Sequence, residues 1–382
     1  MEVLTIEKLT DREKEVLQLI KKDATISRQE IAAKLDISQS AVGTYIHHLS
    51  SKGYLLGRGY ITAPEKKVVV VGGANLDIKG YSPNYIKGSS SPGWIEESPG
   101  GVGRNIAEDL ALLGQEVVLL SVISNDHFGR KLEEESKDAG VDISHLKITS
   151  TQEHKTGTYL AHLDQSGELI GAVNDMRILK EIDCEYLTEK RKIIETSTMV
   201  IFDTNLEEKT INCLLDFCED KKMIKMADAV SVEKGLKLKN ELSRIDYLRA
   251  NLDEVEMLLG IVSLENTEKT KDLSINNRIK NVAENYEENK YLPEMVISTG
   301  QNGAYYLKKK KGKVNIEHFK AENIKSEEIV ETTGAGDALT AGLAAGLVNK
   351  NVISEAIKLG IKASALTVKS ELTCNPDIAE LK

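Results

Sequence analysis

Hydrophobic residues recur along the chain with two different periods, and the period changes after a short first stretch. Between residues 9 and 49, apolar side chains return every three or four positions in three segments, which predicts three amphipathic helices. After Pro64, runs of β-branched residues such as Val68–Val71 alternate with longer helical segments. Such alternation is typical of a parallel sheet with helices on both faces. The pattern predicts two domains, residues 1–64 and residues 65–382, with an α/β class for the larger one.

The three short helices and a predicted hairpin after them resemble a winged helix-turn-helix domain. Thr10 with Glu13, and Ser27 with Glu30, have the spacing of capping boxes, which predicts where the first two helices begin. The third helix would be the DNA recognition helix, and Arg58 at the hairpin tip would reach a minor groove. The predicted contacts on the recognition helix are Gln39, Ser40, Thr44, Tyr45 and His48.

The charge of this domain weakens the DNA-binding interpretation. Residues 1–64 hold nine basic and eight acidic side chains, and no Lys or Arg lies between Ile37 and His48. Because phosphate contacts dominate affinity for DNA, a single copy should bind weakly, and a dimer would compensate. Packing against a partner protein or against the larger domain is the alternative.

The larger domain contains a glycine-rich stretch, Thr332–Asp337, followed by an alanine-rich apolar segment. Its small residues let backbone N–H groups approach a ligand, and the helix predicted to start there adds the positive end of its dipole. Such a nest suits a transferred phosphate, and Asp337 beside it would accept the proton of an attacking hydroxyl. A glycine-rich helix start whose acid serves only in capping is the alternative.

This stretch resembles the carboxyl-terminal signature of the PfkB family of carbohydrate kinases. The resemblance implies a ribokinase-like fold: a mostly parallel central sheet flanked by helices, with a small β lid formed by about residues 79–98 and 155–175. It implies ATP as phosphate donor, Mg²⁺ as metal and Asp337 as catalytic base. The implied anion hole is the backbone of Gly334, Ala335 and Gly336.

Motifs nearer the start of the larger domain carry the sugar-binding part of the resemblance. Asp77 follows the strand Val68–Val71, and the resemblance implies that it grips sugar hydroxyls with Asn75 beside it. An Asx turn after a strand is the alternative for this pair. The family's Gly-Gly-x-x-x-Asn signature is matched by Gly100, Gly101 and Asn105, which implies further sugar contacts.

A predicted hairpin, residues 156–173, leads into the triplet Asn174-Asp175-Met176. This triplet resembles that of the pseudouridine kinases within the family, which implies that Asn174 or Asp175 contacts a base. A polar exit from the hairpin without that role is the alternative.

Two further motifs are similar to the nucleotide side of the family's site. Asn251 and Glu254 keep the family's Asn-Pro-x-Glu spacing, although Leu252 replaces the proline. The resemblance implies that this pair holds Mg²⁺ through water and that Asn251 lies near the nucleotide. A helix N-cap with a first-turn acid is the alternative. The implied contacts to ATP are completed by Thr299, Gly300, Gly303 and Thr333.

Potassium is a third cofactor to consider. Potassium-activated members of the family use the acid before the two threonines to shape a potassium loop. Here that acid is Glu331, one methylene longer than the aspartate of the family signature. The resemblance therefore leaves open whether potassium is a cofactor.

Composition and charge mainly exclude certain classes of protein. A net charge of -10 and a pI of about 5.4 argue against a general polyanion binder. The four cysteines form no Cys-x-x-Cys pair, so we expect reduced thiols and no zinc site. No apolar run approaches the length of a membrane span and the first ten residues do not resemble a signal peptide, which predicts a cytoplasmic protein without a membrane partner.

Together these patterns predict an ATP-dependent kinase for a ribose-bearing substrate. The first candidate is pseudouridine phosphorylated at its 5′-hydroxyl, and we expect a homodimer. The alternative of another class is a nucleoside- or sugar-responsive transcriptional regulator built on a kinase fold. Within the kinases, ribose, inosine and sugar acids remain alternative substrates.

Overall fold

The structure is a computed structural model of the 382-residue chain. It describes residues 9–22, 26–52, 54–55, 67–150, 154–263, 273–289, 291–310 and 312–382. The chain divides into two units, Met1–Glu65 and Lys66–Lys382, and each has its own hydrophobic core.

The described residues of the smaller unit form three helices, α1 (Asp11–Lys22), α2 (Arg28–Leu35) and α3 (Gln39–Ser51). Both predicted capping boxes are confirmed. The Ser27 hydroxyl accepts from the Glu30 N–H at 3.2 Å, and the Glu30 carboxylate accepts from the Ser27 N–H at 2.8 Å. Thr10 and Glu13 make the same reciprocal pair before α1. The predicted wing with Arg58 lies outside the described residues.

Glu13 also connects the first helix to the third. It is 2% exposed, and its carboxylate accepts from Lys52 Nζ at 2.9 and 3.0 Å. His48 Nδ1 lies 3.4 Å from the same carboxylate. The hydrogen bonds from Lys52 and from the Thr10 backbone outweigh burial and lower the pKa of Glu13 to about 2. An ionised, buried acid therefore holds the two helices together.

In the described part of the larger unit, fourteen strands form three sheets. In chain order they are β1 (Lys67–Val71), β2 (Asn75–Tyr81), β3 (Trp94–Gly100), β4 (Glu116–Leu120), β5 (Val122–Ser124), β6 (Lys147–Thr149), β7 (Gly157–Leu163), β8 (Leu169–Asp175), β9 (Met199–Asp203), β10 (Ile224–Asp228), β11 (Tyr247–Asn251), β12 (Glu294–Ser298), β13 (Ala304–Lys310) and β14 (Lys313–Phe319). The main sheet has the order β14-β13-β12-β11-β10-β9-β1-β4. The six neighbouring strands β12, β11, β10, β9, β1 and β4 pair in parallel. At the other edge, β13 pairs antiparallel with β12, and β14 pairs antiparallel with β13.

Helices cover both faces of this sheet. They are α4 (Val102–Leu112), α6 (Cys184–Glu189), α7 (Arg191–Thr196), α8 (Glu208–Cys218), α9 (Val232–Gly235), α10 (Leu252–Leu258), α11 (Ile275–Glu288), α12 (Ala335–Val348) and α13 (Ile353–Thr367). Helix α5 (His127–Asp138) packs instead on β2, β3 and β5. Val69 and Val71 face the core with α8, α10 and α11, whereas Val68 and Val70 face the core with α4, α12 and α13. Burial on both faces explains the continuous run of β-branched residues in β1.

A second sheet has the order β3-β2-β7-β8 and contains the segments predicted to form the lid, so we refer to it as the lid sheet or lid. The predicted hairpin is confirmed as β7 and β8. Residues 80–98 are rich in Ser, Gly and Pro and lack periodicity, which favours an irregular segment. That interpretation is wrong at its end, because β3 pairs antiparallel with β2. Trp94 stacks on Tyr81 across the two strands, with ring centroids 5.1 Å apart. Because β3 is an edge strand, it can contain Pro99 without losing a hydrogen bond that the sheet needs.

The cysteines differ from expectation. Cys184 at the start of α6 and Cys213 in α8 form a disulfide, with Cα atoms 5.8 Å apart, so the prediction of four reduced thiols was wrong for this pair. The packing of α6 on α8 brings them together across 29 residues of sequence. Cys218 and Cys374 are buried thiols. Among the described helices, none has the length and apolar character needed to cross a bilayer.

Replacing Glu13 by Gln should destabilise the smaller unit by about 1–3 kcal/mol at neutral pH, because Lys52 loses its charged partner. The lowered pKa means that the carboxylate contributes fully above pH 4.5 and loses its contribution as the pH falls towards 2. Calorimetric melting of the whole chain should show this difference shrinking over that range. Glu15→Gln, which breaks an exposed pair with Arg12, is the matched control and should cost under about 0.5 kcal/mol. Equal melting temperatures for Glu13→Gln and the unsubstituted chain at pH 7 would contradict the assignment.

Candidate active site

The stretch Thr332–Asp337 leads into helix α12 through Gly334, the N-cap residue, whose φ is 85°. A Cβ at Gly334 would lie 2.2 Å from the carbonyl oxygen of Thr373, so the backbone there accepts only glycine. Within the described residues, no protein acceptor takes the backbone N–H groups of Gly336 and Asp337. Free N–H groups at the positive end of a helix bind anions. The start of α12 can therefore hold a phosphate group.

Asp337 lies in the first turn of the same helix and is 8% exposed. Its Oδ2 accepts a hydrogen bond from Asn105 Nδ2 at 2.8 Å. Burial and then the charge of Asp228 raise the pKa of Asp337 to about 8, against the opposing effects of Asn105 and Arg249. A carboxyl group whose pKa lies near neutral pH can accept and release a proton at little cost.

A cavity of about 220 Å³ lies between the lid and the main sheet. Most of the predicted substrate-side residues line it: Asn75, Asp77, Gly101, Asn105, Asn174 and Asp337. Thr333, which was predicted to contact ATP, also lines this cavity and does not line the second one described below. Asp77 is held by Asn75, whose Nδ2 donates to its Oδ1 at 2.5 Å. Gly100 lies against the Asp77 carboxylate, where a Cβ would come within 2.4 Å of Oδ2. The two acids Asp77 and Asp337 thus face the same space.

Asp175 is placed differently from its neighbour Asn174. Its carboxylate accepts from Arg177 Nε at 2.9 Å and Nη2 at 2.8 Å, and it does not line the cavity. Because successive residues of a strand point to opposite faces, only one of the two can face the substrate. The structure places Asn174 on the cavity side.

A second cavity, of about 360 Å³, lies on the other side of the glycine-rich stretch. Predicted site residues on its wall are Gly300, Gly303, Ala335 and Gly336. Its other walls are largely apolar, with Leu339, Ile361 and Val368. Thr299 supports this wall from behind, because its hydroxyl donates to the Gly303 carbonyl at 2.9 Å. A wider depression at the amino-terminal ends of β10, β11 and β12 is remote from these residues.

Asn251 and Glu254 form a capping box at the start of α10. The Glu254 N–H donates to Asn251 Oδ1 at 2.9 Å, and the Asn251 N–H donates to Glu254 Oε2 at 2.8 Å. Asn251 Nδ2 also donates to Glu254 Oε1 at 2.7 Å. The N-cap alternative therefore accounts for their direct hydrogen bonds, and neither residue lines the two cavities.

Arg249 is a site residue that the sequence analysis missed. Its guanidinium lies against Gly336, where a Cβ would come within 2.2 Å of Nη2, and it lines the second cavity. Its hydrogen bonds are long, 3.4 Å to both Asp228 Oδ1 and Ser298 Oγ, and among the described residues its Nε has no partner. Arg249 and Asp228 lie near the carboxyl ends of adjacent parallel strands, where ligands of α/β sheets bind, and that position was the available signal.

Lys234 and Asn205 were also missed. Lys234 Nζ donates to Asn205 Oδ1 at 2.6 Å, and both line the first cavity. Lys234 lies on a helix of four residues, which is too short to leave a periodic pattern. Asn205 follows the carboxyl end of β9, which again was the usable signal.

A buried carboxyl group beside free helix N-terminal amides, placed between two cavities, is typical of enzymes that transfer a phosphoryl group to an alcohol. The model of the pfkB family of carbohydrate kinases matches residues 65–380. The chain belongs to this family and is a sugar or nucleoside kinase with an amino-terminal winged helix-turn-helix DNA-binding domain, whose family model matches residues 9–55. The predicted fold class and the predicted family are both confirmed.

Two relatives from Escherichia coli (strain K12) are the most informative. A pseudouridine kinase is 33% identical over 313 residues, which cover 82% of this chain and 93% of the relative. An uncharacterized sugar kinase, YeiI, is 30% identical over 373 residues, and the match covers 97% of both chains. That second match extends over the smaller unit as well as the larger one.

Solved structures show the same fold. A carbohydrate kinase from Agrobacterium tumefaciens has a TM-score of 0.65 and 27% identity, covering 83% of this chain and 96% of the other. Ribokinase from Arabidopsis thaliana, complexed with ribose and ATP, has a TM-score of 0.66 at 19% identity and covers 83% and 98% of the two chains.

Proposed function

We propose that the chain transfers the γ-phosphoryl group of ATP to the 5′-hydroxyl of a ribose-bearing nucleoside, with pseudouridine as the first candidate. The position of Thr332–Asp337 between two cavities carries this proposal. One cavity offers the carboxyl and amide groups that bind sugar hydroxyls, and the other offers an apolar wall for adenine. The stretch between them presents the amides and the acid that phosphoryl transfer requires.

Support for pseudouridine comes from the 33% identical relative of that name and from the lid. Asn174 faces the first cavity and lies opposite Tyr159 in the β7–β8 register. An amide that both donates and accepts can pair with the edge of a uracil ring, and an aromatic ring beside it can stack on the base. We assign base recognition to Asn174, since Asp175 is held by Arg177.

In the proposed reaction, Asp77 and Asn105 hold the ribose, and Gly101 leaves room for it. The Asp337 carboxylate takes the proton of the 5′-hydroxyl as that oxygen bonds to the γ-phosphorus and the bond to the bridging oxygen of ADP breaks. The N–H groups at the start of α12 stabilise the negative charge on the transferring group. Arg249, whose donors are only loosely satisfied, adds a positive charge on the nucleotide side.

Magnesium fits the charge of this site. The carboxyl groups of Asp203, Asp228, Glu254 and Asp337 are all buried there, with the guanidinium of Arg249 among them. In the described part of the chain, no three His, Cys, Asp or Glu side chains are grouped so as to ligate a metal. Glu254 and Asn251 would therefore hold the ion through water, as Mg²⁺ commonly requires. Once bound, it would neutralise phosphate charge. The ATP requirement also supports the predicted cytoplasmic location.

A phosphorylation screen of the full-length chain with ATP and Mg²⁺ tests the substrate assignment. We expect kcat/KM for pseudouridine to exceed that for uridine, inosine, adenosine, ribose and fructose by about tenfold or more. Asn174→Ala should lower kcat/KM for pseudouridine about tenfold and leave ribose nearly unaffected. Asp175→Ala on the same strand is the matched control and should change neither value. Preference for a free sugar would overturn the nucleoside assignment, and no product from any substrate would overturn the kinase assignment.

Asp337→Asn should lower kcat by about 10²- to 10⁴-fold while nucleoside binding persists, because the amide cannot accept the proton. In the unsubstituted enzyme kcat/KM should rise with pH and level off above about pH 8, where the carboxyl is ionised. Near-normal kcat for the variant would contradict the assignment of the base.

The same raised pKa allows a check that Asp337→Asn folds. A folded pKa above the unfolded value of 3.8 means that the unsubstituted chain loses stability as the pH rises from 3.8 towards 8. The neutral variant escapes this loss. Its advantage in melting temperature should be larger at pH 9 than at pH 5.

A second candidate function is sequence-specific DNA binding, which the winged helix-turn-helix match favours. On α3, Gln39, Ser40, Thr44 and His48 are exposed and Tyr45 is half-buried. We propose that a homodimer provides the second copy that this weakly charged module needs. Exposed apolar side chains on one face of the lid sheet offer a surface for it: Ile95, Leu160 and Val173.

Selection of bound fragments from the DNA of the source organism, at physiological salt, tests this candidate. We expect a two-half-site sequence, with affinity that changes when nucleoside is added. Gln39→Ala should weaken binding to that sequence about tenfold, whereas Gln18→Ala, on the exposed face of α1, should not. Sedimentation analysis at the same concentration should show a dimer. A monomer that selects no sequence would reject DNA binding without affecting the kinase assignment.

A further inference from the structure

One ion pair joins the lid to the glycine-rich stretch. Lys79, on the lid strand β2, donates through Nζ to Oε2 of Glu331 at 2.7 Å. The two side chains are only 18% and 29% exposed. Since Glu331 immediately precedes Thr332, the pair connects the sheet that lines the first cavity with the stretch that begins helix α12.

The other carboxylate oxygen of Glu331 is also occupied. Its Oε1 accepts from the Thr332 N–H at 2.9 Å, from the Thr333 N–H at 3.1 Å and from the Thr333 hydroxyl at 2.9 Å. Burial opposes ionisation, but the hydrogen bonds from Lys79 and Thr333 prevail and lower the pKa of Glu331 to about 2. An ionised acid therefore already shapes the turn before α12.

Potassium does not fit this donor set. Oε1 is filled by three protein donors and Oε2 by an ammonium group. A potassium ion that approached Oε2 would meet a like charge already in contact with that oxygen, and the repulsion would be strong because the pair is partly buried. The longer side chain of Glu331 reaches a cation supplied by the protein itself.

We infer that the ammonium group of Lys79 is a built-in cation that positions the phosphate-binding stretch, so that phosphoryl transfer by this chain needs no potassium. The inference rests on the proposed kinase function. It makes Lys79 a positioning residue that acts through Glu331 on the turn Thr332–Gly334.

The position of Lys79 on β2 also couples the sugar-binding strand to the phosphate-binding turn. Residues two apart on a strand share a face, so Asp77 and Lys79 project from β2 in the same direction. Both line the first cavity. The strand that holds the sugar through Asp77 therefore also fixes the phosphate-binding turn through Lys79, and a displacement of the lid would disturb both.

Kinase assays in potassium, sodium or tetramethylammonium chloride at equal ionic strength test the inference. The unsubstituted chain should show the same kcat in all three within about twofold. Lys79→Met should lower kcat about tenfold in tetramethylammonium, and potassium or ammonium should restore part of it by occupying the freed carboxylate. Lys131→Met is the matched control. It breaks an ion pair between α5 and Glu97 of the lid strand β3 that does not reach the turn, so its kcat and cation response should stay unchanged.

Thermal melting without nucleotide gives a readout that does not depend on the substrate. Potassium, compared with sodium, should raise the melting temperature of Lys79→Met but not that of the unsubstituted chain, because only the variant has a vacant cation site. Potassium activation of the unsubstituted chain by more than about fivefold would overturn the inference, as would a Lys79→Met variant with full activity in tetramethylammonium. Should Lys79→Met fail to fold, the cation series on the unsubstituted chain decides. Failure of every substrate in the screen would reject the kinase proposal. The melting comparison would still show whether potassium binds only when Lys79 is replaced.

Discussion

A carboxyl group kept out of water beside other carboxyl groups is the constraint on which the site depends. Burial and repulsion from Asp228 alone would raise the pKa of Asp337 still further and favour the protonated form, which cannot act as a base. Fully solvated, it would ionise near its ordinary pKa and bind a proton too weakly to draw one from an alcohol. The Asn105 amide and the Arg249 guanidinium favour the ionised form and hold the pKa of Asp337 to about 8. The positive end of α12 acts in the same direction.

This balance requires segments that are distant in sequence to approach within hydrogen-bonding distance. Asn105 and Asp337 are 232 residues apart, and their side chains meet at 2.8 Å. The approach depends on backbone contacts that a side chain would block: a Cβ at Gly103 would lie 2.7 Å from the backbone of Gly72. Helix α4 can therefore rest directly on the loop after β1 and carry Asn105 towards α12. The chemistry of the site is thus a product of close packing as much as of its polar residues.

Features encoded in local sequence could be predicted, and features that depend on a distant partner could not. The strand β1 and the capping boxes are visible in short patterns, because burial on both faces demands β-branched residues and a cap demands two residues at fixed spacing. Strand β3 is stabilised by the contact of Trp94 with Tyr81 on the neighbouring strand. Because that partner is distant in sequence, the composition of the segment alone suggested a loop. The choice between Asn174 and Asp175 depends on which residues of β8 face the cavity, and this follows only from the register of the strand. Arg249 became a site residue only through its contact with Gly336, on another element.

The same balance of charges bears on whether catalysis or regulation is the primary role. A protein that merely sensed a nucleoside would need the sugar-binding residues of the lid and nothing at the start of α12. It would gain nothing from a buried acid whose ionisation lowers stability, nor from amides left without protein acceptors. The smaller unit carries its own limit, since a recognition helix without Lys or Arg obtains little affinity from phosphates. Its binding to DNA would depend on two copies acting together, each adding to the effective concentration of the other. The arrangement therefore favours catalysis as the primary role, and the DNA binding that we propose would require the proposed dimer.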